Sequence, residues 1–114
     1  MPRERVTVDT WEIQSCYEGK WDCECTELNR YAMKTNMRAY RENYDRPVRV
    51  VKKRVRKDTL SEHELTHMPL NEAKDAVEWY TTLLRDKPES KTLKRRLEHW
   101  KSLLEVRKAR LAAA

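Results

Sequence analysis

The sequence predicts an α+β protein, in which an N-terminal β-hairpin, a helix and a third strand precede a C-terminal antiparallel helical hairpin. The first half alternates apolar and polar residues with a period of two, which is typical of half-buried strands. Residues 71–114 instead repeat apolar residues at spacings of three and four, which indicates helices. With 114 residues, of which 39% are apolar, the chain can bury only a thin core.

The first strand is predicted over residues 6–16, which are rich in β-branched and aromatic types. Trp11 and Ile13 share one face of that strand, whereas the valines at its start fall on the opposite face. An extra residue in a strand reverses this alternation, so we expect a bulge near Asp9.

A turn over residues 17–20 joins the first strand to the second, and Gly19 is suited to the positive φ that a tight turn needs. After the turn, Trp21, Cys23 and Cys25 alternate with acidic residues. This alternation predicts a half-buried second strand.

A helix is predicted over residues 27–43, with Thr26 as its N-cap. Pro47 ends the helical segment, and the valine-rich residues 48–56 are expected to form the third strand. The core of this lobe is expected to contain Trp11, Trp21, Leu28 and Ala32.

Residues 58–70 are interpreted as a linker or one short helix that Pro69 stops. Asn71 would then cap a helix over residues 72–86, and the last helix would run over residues 89–112. The last helix is thus expected to be longer than its partner, and its excess could pack on the β-lobe, pack on a second copy as a homodimer, or lie in solvent. The expected helical core consists of Ala76, Tyr80, Leu84, Leu97, Trp100 and Leu104.

These elements predict a β-β-α-β lobe over 1–57, a linker over 58–70 and a helical hairpin over 71–114 that packs on the lobe. A single domain that contains both parts is the alternative.

Part of the first lobe resembles a small module common among short bacteriophage and prophage proteins. The resemblance covers residues 8–56, and Trp11-Glu12-Ile13-Gln14, Ala39-Tyr40-Arg41-Glu42-Asn43 and Val48-Arg49-Val50-Val51-Lys52-Lys53 carry it. It implies a phage origin and the hairpin-helix-strand fold. Small phage proteins of this sort often bind host machinery or support phage DNA metabolism.

The net charge of +6 is concentrated in residues 46–57, which contain seven basic and no acidic side chains. Such a strip can bind phosphates or an acidic protein surface, or it can protect an edge strand from pairing with other sheets. Aromatic residues do not interleave with the strip in the sequence, which disfavours a base-stacking platform. The candidate binding residues are Arg46, Arg49, Lys52, Lys53, Arg54, Arg56 and Lys57, together with Lys94, Arg95 and Arg96 in the last helix.

The segment His63-Glu64-Leu65-Thr66-His67 matches the H-E-x-x-H pattern of zinc peptidases. In that pattern the two histidines bind zinc one helical turn apart, and the glutamate polarises the zinc-bound water. Glu72 is the candidate third ligand by resemblance to thermolysin-like enzymes, although it follows His67 much more closely than in that family. The alternative is a pair of solvated histidines, and we expect no cofactor unless zinc binds here.

Three cysteines, an odd number, suggest buried thiols in a reducing compartment rather than a disulfide framework. They are Cys16, Cys23 and Cys25. No segment approaches the length of apolar sequence that a membrane span needs, and residues 1–5 lead into no apolar leader region. We therefore expect cytoplasmic residence, in the host cell if the chain is phage-encoded.

Three functional hypotheses remain open. The first is a non-enzymatic partner-binding protein, such as a phage-encoded modulator or inhibitor of a host protein complex. The second is a direct nucleic-acid binder that uses the basic strand 46–57. The third is a small zinc-dependent peptidase with Glu64 as its catalytic residue and His63 and His67 as ligands.

Overall fold

The structure, a computed structural model, describes residues 6–113 and confirms the α+β class. In chain order the elements are β1 (Thr7–Tyr17), β2 (Lys20–Glu27), α1 (Arg30–Asn43), β3 (Val48–Arg56), a 3-10 turn (Lys57–Thr59), α2 (Glu62–Asp86) and α3 (Lys91–Ala113). The chain forms two compact units, the first ending at Leu65 and the second beginning at Thr66. Residues 1–5, on which the prediction about a leader rests, lie outside the described part.

The three strands form an antiparallel sheet in the order β2-β1-β3, so β3 lies at one edge. The β1–β2 turn is confirmed where the sequence predicts it. Glu18 has a φ of 50° and Gly19 a φ of 78°. Two successive positive φ values are what a two-residue hairpin turn needs to match the twist of its strands.

A bulge is present in the hairpin, but its predicted position near Asp9 is wrong. Ile13 pairs with Cys25 and Gln14 pairs with Cys23, which leaves Glu24 as the extra residue in β2. The two faces of β2 therefore exchange at Glu24, because an extra residue reverses the alternation. This exchange places Trp21 and Cys23 on the face opposite α1, where Cys23 is exposed and Trp21 is 38% exposed rather than a core residue.

Helix α1 begins later than predicted, and Asn29 replaces Thr26 as its N-cap. Thr26 is held in the sheet, because β2 pairs with β1 as far as Glu27. The Asn29 side chain accepts hydrogen bonds from the backbone N–H groups of Tyr31 (3.0 Å) and Ala32 (2.8 Å). The apolar core of this unit contains Ile13, Tyr31 and Met37, while Trp11, Leu28 and Ala32 are half-buried.

Helix α2 is a single 25-residue helix, so the predicted linker before Asn71 is wrong at the level of secondary structure. Pro69 lies inside the helix and does not stop it. A proline in a helix removes only the hydrogen bond to the carbonyl four residues earlier. The helix continues because Leu70 and Ala73, which follow the proline, are buried.

Helices α2 and α3 form the predicted helical hairpin, and α3 begins at Lys91 rather than at Glu89, with Ser90 as its capping residue. The Ser90 hydroxyl accepts a hydrogen bond from the Leu93 N–H at 3.2 Å. The helices have 25 and 23 residues, so the last helix has no overhang over its partner. Buried residues of the hairpin are Leu70, Ala73, Ala76, Tyr80 and Leu97. Leu84, Trp100 and Leu104, which were also predicted in this core, are half-buried. Among residues 6–113, no helix is both long and apolar enough to cross a membrane.

Candidate partner-binding surface on strand β3

Strand β3 has the boundaries predicted from the sequence and carries five cations and no carboxylate. It pairs with β1 from Thr7↔Arg56 to Ser15↔Val48. Side chains therefore alternate between the sheet face that α1 covers and the opposite face. Trp11 lies opposite Glu27, which hydrogen-bonds to Asn36 of α1, so the even-numbered residues of β3 lie on the α1 side.

On the α1 side, two cations share a single carboxylate. Lys52 Nζ and Arg54 Nε each lie 3.6 Å from a carboxylate oxygen of Asp9. Lys52 Nζ also lies 5.7 Å from the centre of the Trp11 ring. Because one carboxylate offsets one of these two cations, this face retains a positive charge.

On the opposite face, Lys53 forms a closer pair with Glu12. Lys53 Nζ lies 2.8 Å from Glu12 Oε2, and Gln14 Nε2 donates to Glu12 Oε1 at 2.8 Å. These two hydrogen bonds, that from Lys53 first, hold the pKa of Glu12 below its ordinary value. Lys53 is thus offset by its neighbour in the sheet.

Arg49 lies on the same face, and no carboxylate within residues 6–113 pairs with it. Its Nε donates to Gln14 Oε1 at 2.8 Å, and its guanidinium carbon lies 4.1 Å from the centre of the Trp21 ring. Stacking on an aromatic ring holds the planar guanidinium without removing its charge.

Arg46 joins β3 to the bulge in β2. Arg46 Nη2 donates to Glu24 Oε1 at 3.1 Å, and its guanidinium lies 4.5 Å from the Tyr44 ring centre. Glu24 also accepts hydrogen bonds from the Ser15 and Tyr44 hydroxyl groups. The Ser15 hydrogen bond contributes most to a pKa of Glu24 that lies below its ordinary value.

The strip as a whole keeps a modest surplus of positive charge. Arg56 pairs with Asp58 at 3.0 Å, and Lys57 lies in the following 3-10 turn. Four carboxylates, those of Asp9, Glu12, Glu24 and Asp58, thus face seven cations, and three positive charges are left over. The sequence missed Asp9 and Glu12 as partners, although their signal was present as acidic residues on the strand that pairs with β3.

Aromatic rings lie beside the strip in the folded chain, although they do not interleave with it in the sequence. Tyr44 is close to Arg46 in the sequence, and its ring lies against the Arg46 guanidinium. Trp11 and Trp21 are distant from β3 in the sequence, but their rings lie against Lys52 and Arg49. Pairing of neighbouring strands brings these rings next to side chains that the chain order separates.

The second basic group is not part of this strip. Lys94, Arg95 and Arg96 are exposed on helix α3, which belongs to the second compact unit, whereas β3 belongs to the first.

The H-E-x-x-H segment lies on a helix, as its pattern requires, but its glutamate has a structural role. Ser61 and Glu64 form a reciprocal capping box at the start of α2. The Glu64 N–H donates to Ser61 Oγ at 3.1 Å, and the Ser61 N–H donates to Glu64 Oε1 at 3.2 Å. His63 is exposed and His67 is half-buried.

Glu72, the candidate third zinc ligand, forms an ion pair with Arg107 of α3 at 3.1 Å. Arg107 also donates to the Pro69 carbonyl at 2.8 Å. Within residues 6–113, no three His, Cys, Asp or Glu side chains are grouped as metal ligands.

The three cysteines are free thiols, but they are not all buried as predicted. Cys23 is exposed. The bulge at Glu24 separates it from Cys25, so that Cys23 lies on the face of the sheet opposite α1. Burial raises the pKa of the half-buried Cys25 thiol, and the neighbouring Tyr40 side chain opposes this effect only in part. Burial, followed by the Cys25 contact, raises the pKa of Tyr40 to about 12.

Comparison of the chain with protein-family models, curated proteins and solved structures finds no match.

Proposed function

We propose that this chain is a non-enzymatic partner-binding protein that docks an acidic protein surface on strand β3. The supporting observation is the surplus of three positive charges over residues 46–57, which contain an edge strand whose side chains are largely exposed. Complementary charge accelerates association and selects partners. By the resemblance of residues 8–56, the partner is a host protein complex that a phage-encoded chain modulates or inhibits.

Arg54 is suited to a test because it is 74% exposed and shares Asp9 with Lys52. Arg54→Gln removes one surplus charge and leaves Asp9 paired. We expect the association rate with a partner isolated from nuclease-treated bacterial lysate to fall several-fold at low salt. Lys101→Gln, which removes an exposed charge from α3, is the matched control and should leave the rate unchanged. Equal association rates for the two variants would contradict a docking role for β3.

Direct nucleic-acid binding is the second candidate, and the rings against Lys52 and Arg49 favour it. An aromatic ring beside a cation can stack on a base while the cation contacts a phosphate. Loss of all captured material on nuclease treatment would favour this candidate over the first. The small surplus of charge limits the number of phosphates that β3 can neutralise, which is why it ranks second.

A further inference from the structure

The backbone N–H and C=O groups of alternate residues in β3 point in opposite directions, one set toward β1 and the other toward the free edge of the sheet. Cys16 N donates to Pro47 O at 2.9 Å just beyond one end of the β1–β3 ladder, and Lys57 N donates to Val6 O at 2.8 Å just beyond the other. The pairs Cys16–Pro47 and Val6–Lys57 continue the register of the β1–β3 ladder, and the ladder has no register shift from one end to the other. In an antiparallel ladder, hydrogen-bonded pairs alternate with pairs that are not hydrogen-bonded.

This alternation assigns each residue of β3 to one side. Residues 49, 51, 53 and 55 are hydrogen-bonded to β1 because they share the parity of Pro47 and Lys57. Val50, Lys52 and Arg54 consequently direct their N–H and C=O groups away from β1, toward the free edge. In the described part of the chain, the sheet has no strand on that side.

The free edge has the geometry that an added strand needs. It is nine residues long, contains no proline and pairs with β1 without a bulge. Its edge-directed residues are accessible, since the side chains of Lys52 and Arg54 are 60% and 74% exposed. Open, regular edges of this kind are templates for pairing with another chain.

The positive charge of β3 determines which kind of segment can pair with its free edge. A second copy of β3 would bring five further cations against the five already present, so self-pairing through this edge is repelled. An acidic strand would instead face the surplus charges, at Lys52 and Arg54 on one face and at Arg49 on the other. The opposite edge of the sheet is different, because β2 is bulged and carries one lysine and three carboxylates.

We infer that β3 binds an extended acidic segment of the partner protein as a fourth strand of the sheet. This inference rests on the proposed partner-binding function and specifies its mode. Backbone hydrogen bonds to Val50, Lys52 and Arg54 hold the segment, and acidic side chains at alternate positions, on the face of Lys52 and Arg54, meet those two cations. Val51, between the cations, favours a β-branched neighbour over a further charge.

A synthetic nine-residue peptide of alternating glutamate and valine, matched to the length of β3, is the probe. Two further peptides carry N-methyl groups on either the odd-numbered or the even-numbered amides. Charge is the same in all three, but only one methylation pattern blocks the amides that face β3. We expect one methylated peptide to bind the full chain at least about tenfold more weakly than the other in fluorescence anisotropy titrations.

A pair of variants tests the same hydrogen bonds from the protein side. Lys52→Pro removes both a charge and an edge-directed N–H, whereas Lys52→Gln removes only the charge. Weaker peptide binding by the proline variant than by the glutamine variant, with unchanged circular dichroism, is expected. The peptide series, which uses the unaltered protein, decides the matter if the proline variant does not fold.

Equal binding of both methylated peptides would overturn strand addition while leaving charge-driven docking intact. Failure of the unmethylated peptide to bind would also overturn strand addition, and the Arg54→Gln association rates would then judge the partner-binding function separately.

Concentration-dependent self-association in sedimentation experiments, lost with Lys52→Pro, would identify a second copy as the occupant and overturn the acidic partner. Competition of the peptide by duplex DNA at physiological salt, with equal binding of both methylated forms, would assign the surface to nucleic acid.

Discussion

Glu24 shows how one extra residue in a strand can organise its surroundings. The bulge turns this carboxylate toward the α1 side, where Ser15, Arg46 and Tyr44 all donate to it. Ser15 is buried, and its hydroxyl has its partner in Glu24. A buried hydroxyl without a partner would be costly, so the bulge and the carboxylate stabilise this end of the sheet together.

Glu24→Gln should reduce the acid sensitivity of the fold. The pKa of Glu24 in the folded chain lies below its ordinary value, because the Ser15 hydroxyl and then the Arg46 guanidinium favour the charged form. A lowered folded-state pKa stabilises the fold above the ordinary glutamate pKa of about 4.3, and this stabilisation is lost as pH falls through the folded-state value. Urea unfolding midpoints between neutral and acid pH measure the effect.

Glu89→Gln removes an exposed carboxylate from the α2–α3 turn and is the matched control. An unchanged slope of stability with pH in the Glu24→Gln variant would show that the Glu24 contacts contribute nothing to acid stability.

At the scale of elements, the start of α2 explains why a peptidase-like string need not carry chemistry. Ser61 and Glu64 have the S-x-x-E spacing of a capping box, and the structure shows both of its hydrogen bonds. The same glutamate that the metal motif would use to activate water thus satisfies a backbone N–H at the helix end. This role requires no metal and depends only on helix geometry.

Ser61→Ala should lower the free energy of unfolding by about 1 kcal/mol, because it removes the acceptor for the Glu64 N–H. Glu64→Gln should remain close to the unaltered chain, since an amide oxygen can replace the carboxylate oxygen in the capping box. Chemical denaturation monitored by circular dichroism measures both variants.

The zinc hypothesis makes a different prediction for Glu64→Gln, namely retention of zinc with complete loss of peptide hydrolysis. A zinc-loaded chain with that behaviour would contradict a purely structural role for Glu64.

Pro69 has a local consequence for α2. It has no N–H to donate to the Leu65 carbonyl, so the hydrogen-bond ladder of the helix is interrupted there. The two compact units divide between Leu65 and Thr66, at the same turn of the helix. The boundary between the units thus lies about one helical turn before Pro69, and the proline does not end the helix.

The net charge of +6 is a sum over the whole molecule, and the β3 strip retains only three of its own seven positive charges. The β3 strip loses most of its charge to carboxylates of the first unit, and the cations of α3 belong to the second. Binding to DNA through the strip should therefore be weak and independent of sequence.

Duplex DNA affinity should fall with salt with a log-log slope no steeper than about −3, since each neutralised phosphate contributes about −0.9 and the strip has few surplus charges. Replacing Lys53 and Arg56 by glutamine would flatten that slope by about two contacts if these residues bind phosphates. The pair Lys101→Gln and Lys108→Gln on α3 controls for the same change in net charge. Sub-micromolar affinity near physiological salt, abolished only by the β3 replacements, would reverse the order of the two candidate functions.

Features that depend on neighbouring residues could be predicted from the sequence. The β1–β2 turn follows from the only glycine, the bounds of β3 from a valine-rich run after Pro47, and the C-terminal hairpin from apolar residues at helical spacing. These signals are local, because turns, strands and amphipathic helices each have a fixed period.

Three features required the folded structure, namely the position of the bulge, the continuity of α2 through Pro69 and the partners of the basic strip. Each of these depends on residues that are far apart in the chain. Strand register determines that Glu12 meets Lys53 and that Trp21 lies under Arg49, and burial beyond Pro69 outweighs its lost hydrogen bond. The physical reason is that pairing and burial are contacts between elements, and the free energies of such contacts are not encoded in any single segment.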